Sequence, residues 1–98
     1  MIVEIATLSA AAGQRDQLRE ALRTARDVLA RFPGYRTSRF HQGLDDADSF
    51  VLTIEWETRD AYLESFRDLA LLAEWRGHFI HLLASPPRVA PYETIAGA

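Results

Sequence analysis

The sequence predicts an α+β domain of the split βαβ kind: a four-stranded antiparallel sheet with helices on one face. Three observations predict it. The apolar spacing alternates between period two and period three-to-four along the chain, in the order strand, helix, strand, strand, helix, strand. Each helical stretch carries an apolar stripe. Two of the strands are apolar on both faces, so the sheet face that the helices leave bare also needs a cover. The 98 residues make one domain, 1–98, with no internal linker.

The first strand covers residues 2–8, IVEIATL. Ile2, Glu4, Ala6 and Leu8 fall on one face, and Val3, Ile5 and Thr7 on the other. A small-residue loop, Ser9 to Gly13, leads into a helix from Gln14 to Phe32. Leu18, Leu22, Ala25, Leu29 and Phe32 step by four and three and form its sheet-facing stripe; the charged residues between them form a solvated face. Pro33-Gly34 stops this helix. Tyr35 to Gln42 is polar for a strand and belongs at an edge, with Tyr35, Thr37, Arg39 and His41 on one face. Gly43 to Asp48 is a turn whose Asp45, Asp46 and Asp48 lack EF-hand spacing and its closing Glu, so they read as solvated carboxylates. Ser49 to Glu57 is the third strand, with Phe50, Leu52, Ile54 and Trp56 on one face. Thr58 is an N-cap, and a helical region follows with a break near Asp68. Tyr62 and Phe66 share one of its faces; Leu72, Trp75, Phe79 and Leu82 share another. Ala84-Ser85-Pro86-Pro87 ends it. Arg88 to Ile95 is the last strand, confined to an edge by Pro91. Right-handed crossovers place both helical layers on the same side of this ferredoxin-like sheet. The other side, with Val3, Ile5 and Val51, predicts a homodimer of two sheets packed face to face.

Composition narrows the chemistry. Net charge is -3, which gives no support to nucleic-acid or anionic-membrane binding. No apolar stretch is long enough to span a bilayer, and Glu4 interrupts the first apolar run, so no signal peptide is read and a cytoplasmic protein is expected. With no Cys there is neither a thiolate nucleophile nor an iron–sulfur site. All 11 basic residues are Arg, which removes Schiff-base chemistry through Lys. No Asn occurs.

Ser49 to Ala84 is the stretch that could build a pocket, because an apolar strand face meets an aromatic helix face there. The ordering of two ferredoxin-type helices, the strand ending in Glu55-Trp56-Glu57, Tyr62 and Phe66 after it, Glu74-Trp75-Arg76, and the terminal Pro86-Pro87-Arg88-Val89-Ala90-Pro91-Tyr92-Glu93 form a set. Over nearly the whole chain, this set resembles the antibiotic biosynthesis monooxygenase family of dimeric α+β barrels. In the quinone-forming, cofactor-free members, a Trp at the end of strand three, a Tyr six residues later and an Arg on the following helix line the pocket. Those positions resemble Trp56, Tyr62 and Arg76. The same members carry an Asn four residues before the Trp, where this chain has Leu52. The haem-degrading branch relies on an Asn in strand one and a His after strand three, and the missing Asn sets this chain apart from it.

The resemblance implies oxygenation of a small aromatic substrate (polyketide-like, quinol or anthrone) by O2, with no cofactor and no metal. Such chemistry needs a flat apolar slot and a stabilised anion. Phe50, Leu52, Trp56, Phe66 and Trp75 would supply the walls, Arg76 the charge stabilisation, and Tyr62 a hydrogen bond. His41 or His78 would act as base. Each has a plainer reading: Trp56, Trp75 and Tyr62 as core, Arg76 as the ion-pair partner of Glu74 or Glu93, His41 as exposed or at the dimer seam. His78 and His81, three apart on one helix, could share a metal, but no third ligand is identifiable. Glu4, alone among apolar neighbours, either faces the pocket as a base or bonds across the dimer. Two other functions fit the same fold. One is a non-catalytic ligand-binding or interaction module, and the other is an isomerase or degradation enzyme for a small oxygenated metabolite.

Overall fold

The computed structural model describes residues 1–98. Strand β1 (Ile2–Ser9) is followed by helix α1 (Arg15–Leu29) and strands β2 (Tyr35–Gln42) and β3 (Ser49–Trp56). Helices α2 (Arg59–Ser65) and α3 (Leu69–Gly77), a one-turn 3-10 segment (Ile80–Leu82) and strand β4 (Arg88–Glu93) complete the chain. The strands form one antiparallel sheet in the order β2-β3-β1-β4. This is the ferredoxin-like arrangement, with the polar β2 at one edge and the Pro91-containing β4 at the other, where a missing N–H is tolerated.

The core lies between the sheet and the helices. Phe50, Leu52, Ile54 and Trp56 on β3 are each at most 2% exposed. They meet Leu18, Leu22, Ala25 and Leu29 on α1, together with Val28, which the simple stripe omits. Burying each Leu contributes about 1.5–3 kcal/mol, so this stripe rather than helix propensity holds α1 in place. Thr58 caps α2 by accepting from Ala61 N at 3.0 Å, and Asp68 caps α3 by accepting from Leu71 N at 3.1 Å. The break near Asp68 is therefore a new helix start.

Several boundaries differ from the sequence reading. Helix α1 ends at Leu29, three residues before Phe32; the chain turns through Arg31 and Phe32, whose N–H groups bond Val28 and Leu29, and Phe32 still reaches the core. A bulge between Tyr35 and Thr37 breaks the alternation of β2 and puts Tyr35 on the helix-facing side, opposite Trp56. The aromatic stripe of α3 is not one helix face: the helix ends at Gly77, Leu71 and Trp75 are its buried residues, and Phe79 enters the core from the following turn. β4 stops at Glu93 rather than Ile95.

Gly34 fixes how the two halves meet. Its φ is +81°, and a Cβ there would collide with the Ala61 side chain on α2. Its carbonyl accepts from Glu57 N at 2.8 Å. The α1–β2 turn thus sits against the start of α2, beside the Trp56 end of β3.

Candidate functional site

At that end of the sheet, β1 and β3 run beneath α2 and α3. The register pairs Ile2 with Trp56 and Glu4 with Ile54, so Glu4 stands beside Trp56 on the helix-facing side. Trp56 Nε1 donates to Glu4 Oε1 at 3.0 Å. Phe32 and Tyr35 pack edge-on against the indole at centroid distances of 6.0 and 6.3 Å and hold it in place. Helix α3 contributes Trp75, edge-on to Phe79 at 4.9 Å, and Arg76 beside it. Helix α2 contributes buried Tyr62, edge-on to Phe66 at 5.1 Å.

These groups surround a cavity. Its apolar walls include Leu52, Trp56, Phe66, Leu72, Trp75 and Phe79; its polar lining is Glu4, Ser65 and Arg76. The unfilled volume is about 30 Å³, room for a water molecule. That is far below the ~300–1,000 Å³ of sites that enclose drug-sized ligands.

The electrostatics are unusual for so small a core. Glu4, 7% exposed, is the one charged residue that the fold buries. Burial pushes its carboxyl above the ordinary 4.5, while the Trp56 N–H and the positive charge of Arg76 offset part of that rise. Its second oxygen, Oε2, makes no hydrogen bond in the protein, yet no fully buried side-chain oxygen is left without a partner. Oε2 therefore keeps accessible surface. Burial, together with the negative charge of Glu4, pushes the Tyr62 hydroxyl above its ordinary 10.0. Arg76 is exposed at the cavity mouth and forms no ion pair; its neighbour Glu74 pairs with Arg31 instead.

Of the residues that the sequence singles out, Glu4, Leu52, Trp56, Phe66, Trp75 and Arg76 line this cavity. Tyr62 lies behind Phe66. Three others lie elsewhere. Phe50 is six residues up β3 from Trp56, roughly 20 Å away. With Arg19, Arg23, Phe40 and His41 it lines an open groove of about 520 Å³. His41 pairs with Val51 and belongs to the bare side of the sheet. His78 caps the end of α3 while His81 sits in the 3-10 turn, so the two do not share a helix and cannot be a helix-spaced metal pair. No group of three or more His, Asp or Glu is placed to hold a metal ion. Sequence reasoning missed Ser65, Pro87 and Val89 as lining residues, because their contribution depends on how α2 packs over the sheet and how β4 pairs beside β1. It also missed the Glu4–Trp56 bond, although a lone carboxylate in an apolar central strand was its signal.

The family model for antibiotic biosynthesis monooxygenase matches residues 1–78. The chain is 26% identical to the YczJ protein of Bacillus subtilis (strain 168), across 97% of this chain and 100% of that one. A Bordetella bronchiseptica protein provisionally named an antibiotic biosynthesis monooxygenase superposes with a TM-score of 0.88 at 26% identity, over 96% of both chains. A Nitrosomonas europaea protein of the same provisional name gives 0.80 at 25% identity, over 97% of this chain and 99% of its own. SnoaB, a cofactor-independent oxygenase from Streptomyces nogalater, shares the fold at a TM-score of 0.78 and 14% identity, over 95% of this chain and 91% of its own. The matched residues span β1 to α3, the elements that supply most of the cavity, and the chain belongs to the antibiotic biosynthesis monooxygenase family.

Proposed function

We propose that this protein is a small monooxygenase that oxidises an electron-rich aromatic substrate, polyketide-like or a quinol or anthrone, with O2 and no cofactor. The observation that carries this reading is the placement of the Arg76 guanidinium at the mouth of a cavity walled by Trp56, Phe66 and Trp75. Flat rings seat an aromatic substrate, and a guanidinium without an ion-pair partner stabilises a phenolate or peroxide oxygen. For an anthrone the balance is a ring CH2 plus O2 giving a carbonyl plus water, with all electrons drawn from the substrate. Family membership supports monooxygenase-type chemistry in general; SnoaB supports the cofactor-independent form by fold alone.

A ring does not fit into 30 Å³, so substrate entry requires α2, α3 and the 3-10 turn to move off the sheet. The working form is a homodimer. This is supported by the sheet side opposite the helices, where Val3, Ile5, Val51 and Ala90 form an apolar centre with Arg39, His41 and Arg88 around it.

The test is oxygen uptake with a panel of anthrones, naphthols and quinols in the presence of a chelator, run beside Arg76→Met. Arg76 is exposed, so the variant keeps the fold. Chelator-resistant uptake that falls at least tenfold in the variant supports the reading; uptake no faster than without protein refutes it. Leu52 in place of the family's Asn favours a second reading, a ligand-binding module, and the small volume of the cavity counts against it. Saturable ligand binding without turnover would establish it.

A further inference from the structure

The proposed oxidation begins with loss of a proton, and of the residues that sequence reasoning offered for that step the structure removes the histidines and keeps Glu4. His41 points to the bare side of the sheet, and His78 and His81 lie outside the cavity. The chain has no Lys and no Cys. The titratable groups lining the cavity are Glu4 from β1 and Arg76 from α3, with Tyr62 from α2 close enough to feel the charge of Glu4. β4 adds Glu93 on the same sheet side, opposite Ile2 and exposed. The Arg76 guanidinium carries donors and no acceptor, and Tyr62 is held above its ordinary value. Only Glu4 remains as a base.

The geometry of Glu4 suits that role. One oxygen is tied to the indole of Trp56, which fixes the carboxylate plane. The other is unbonded and accessible in an otherwise buried residue. Desolvation raises its proton affinity, which brings a carboxylate closer to the strength that a base for a phenol needs.

We propose that Glu4 is the catalytic base of this site: Oε2 accepts the hydroxyl proton of an aromatic alcohol, or of the enol form of an anthrone, and Arg76 holds the resulting oxyanion. This inference rests on the oxygenase reading. The substrate O–H bond breaks, an Oε2–H bond forms, and the electron pair stays on the substrate oxygen. The charge of the site is unchanged, since a carboxylate is exchanged for a phenolate beside the same guanidinium. The step itself needs no oxidant; O2 enters afterwards.

The experiment compares wild type, Glu4→Gln and Glu4→Asp on two naphthols, one neutral and one already ionised at the assay pH, with thermal unfolding as a check on the fold. On the neutral substrate, Glu4→Gln loses about 10²–10⁴ of kcat. It also loses the rise of kcat/KM with pH through the raised Glu4 value. On the pre-ionised substrate it keeps wild-type turnover within a few-fold, because no base is needed. Glu4→Asp, with its carboxylate withdrawn by one methylene, keeps the pH profile at a reduced rate on the neutral substrate only; it decides the matter if Glu4→Gln fails to fold. A wild type active on both substrates with variants unchanged, or slowed equally on both, overturns the assignment of Glu4 and leaves the oxygenase reading standing. A wild type inactive on both overturns the two together.

Discussion

Glu4 and Trp56 depend on each other. The indole N–H is the one protein donor to a carboxylate that the fold has buried, and the carboxylate is the acceptor that lets the N–H be buried. Trp56→Phe keeps an aromatic ring but strands Oε1. Leaving a buried acceptor unpaired costs about 1–3 kcal/mol, more when it is charged. A drop in the urea midpoint is therefore expected, larger at pH 7 than at pH 4, where more of Glu4 is protonated. The pH dependence has a definite sign. The folded protein holds the Glu4 proton more tightly than the unfolded chain, so stability falls as pH rises from 4.5 through the raised folded value. Glu4→Gln removes that slope, and denaturation curves taken between pH 4 and pH 8 should show a flatter profile for the variant. An unchanged slope would mean that Glu4 is not desolvated in solution.

Element starts and stops show where sequence reasoning succeeds. Caps are local, so Thr58 and the break at Asp68 were legible from residue type alone. Replacing either cap by Ala should lower stability by about 1 kcal/mol, read from thermal or urea unfolding. β3 was legible because it is buried on its helix-facing side without interruption. The bulge in β2 was not, since nothing in Tyr35-Arg36-Thr37 distinguishes an extra residue from an ordinary alternation; the pairing of Tyr35 with Trp56 decides it. The end of α1 was misplaced because Phe32 continues the apolar spacing after the helical hydrogen bonds have stopped. His78 and His81 were misread for the same kind of reason, as three-residue spacing implies one helix face only where one helix exists. Gly34 is the element-scale position with least tolerance. Gly34→Ala combines a left-handed backbone with a collision against Ala61, and a loss of more than 1 kcal/mol is expected.

For the whole molecule, the sequence pattern specified the layers, while the cavity required tertiary closure to be seen. Which aromatic residues are walls and which only fill the core depends on where α3 ends and on where the chain places Pro87, just before β4, and Val89 within it. The apolar centre of the bare sheet side carries the dimer expectation. Wild type should sediment as a dimer at micromolar concentration, and Ile5→Asp, which puts a charge at the middle of that side, should sediment as a monomer. A monomeric wild type would remove the partner sheet from the account. The oxygenase reading is tested most directly by turnover of an anthrone under ¹⁸O2 with mass analysis of the product. One labelled oxygen is expected in the quinone product, formed by wild type with chelator present and lost with Arg76→Met. A product without label, or no product beyond the rate without protein, would contradict it.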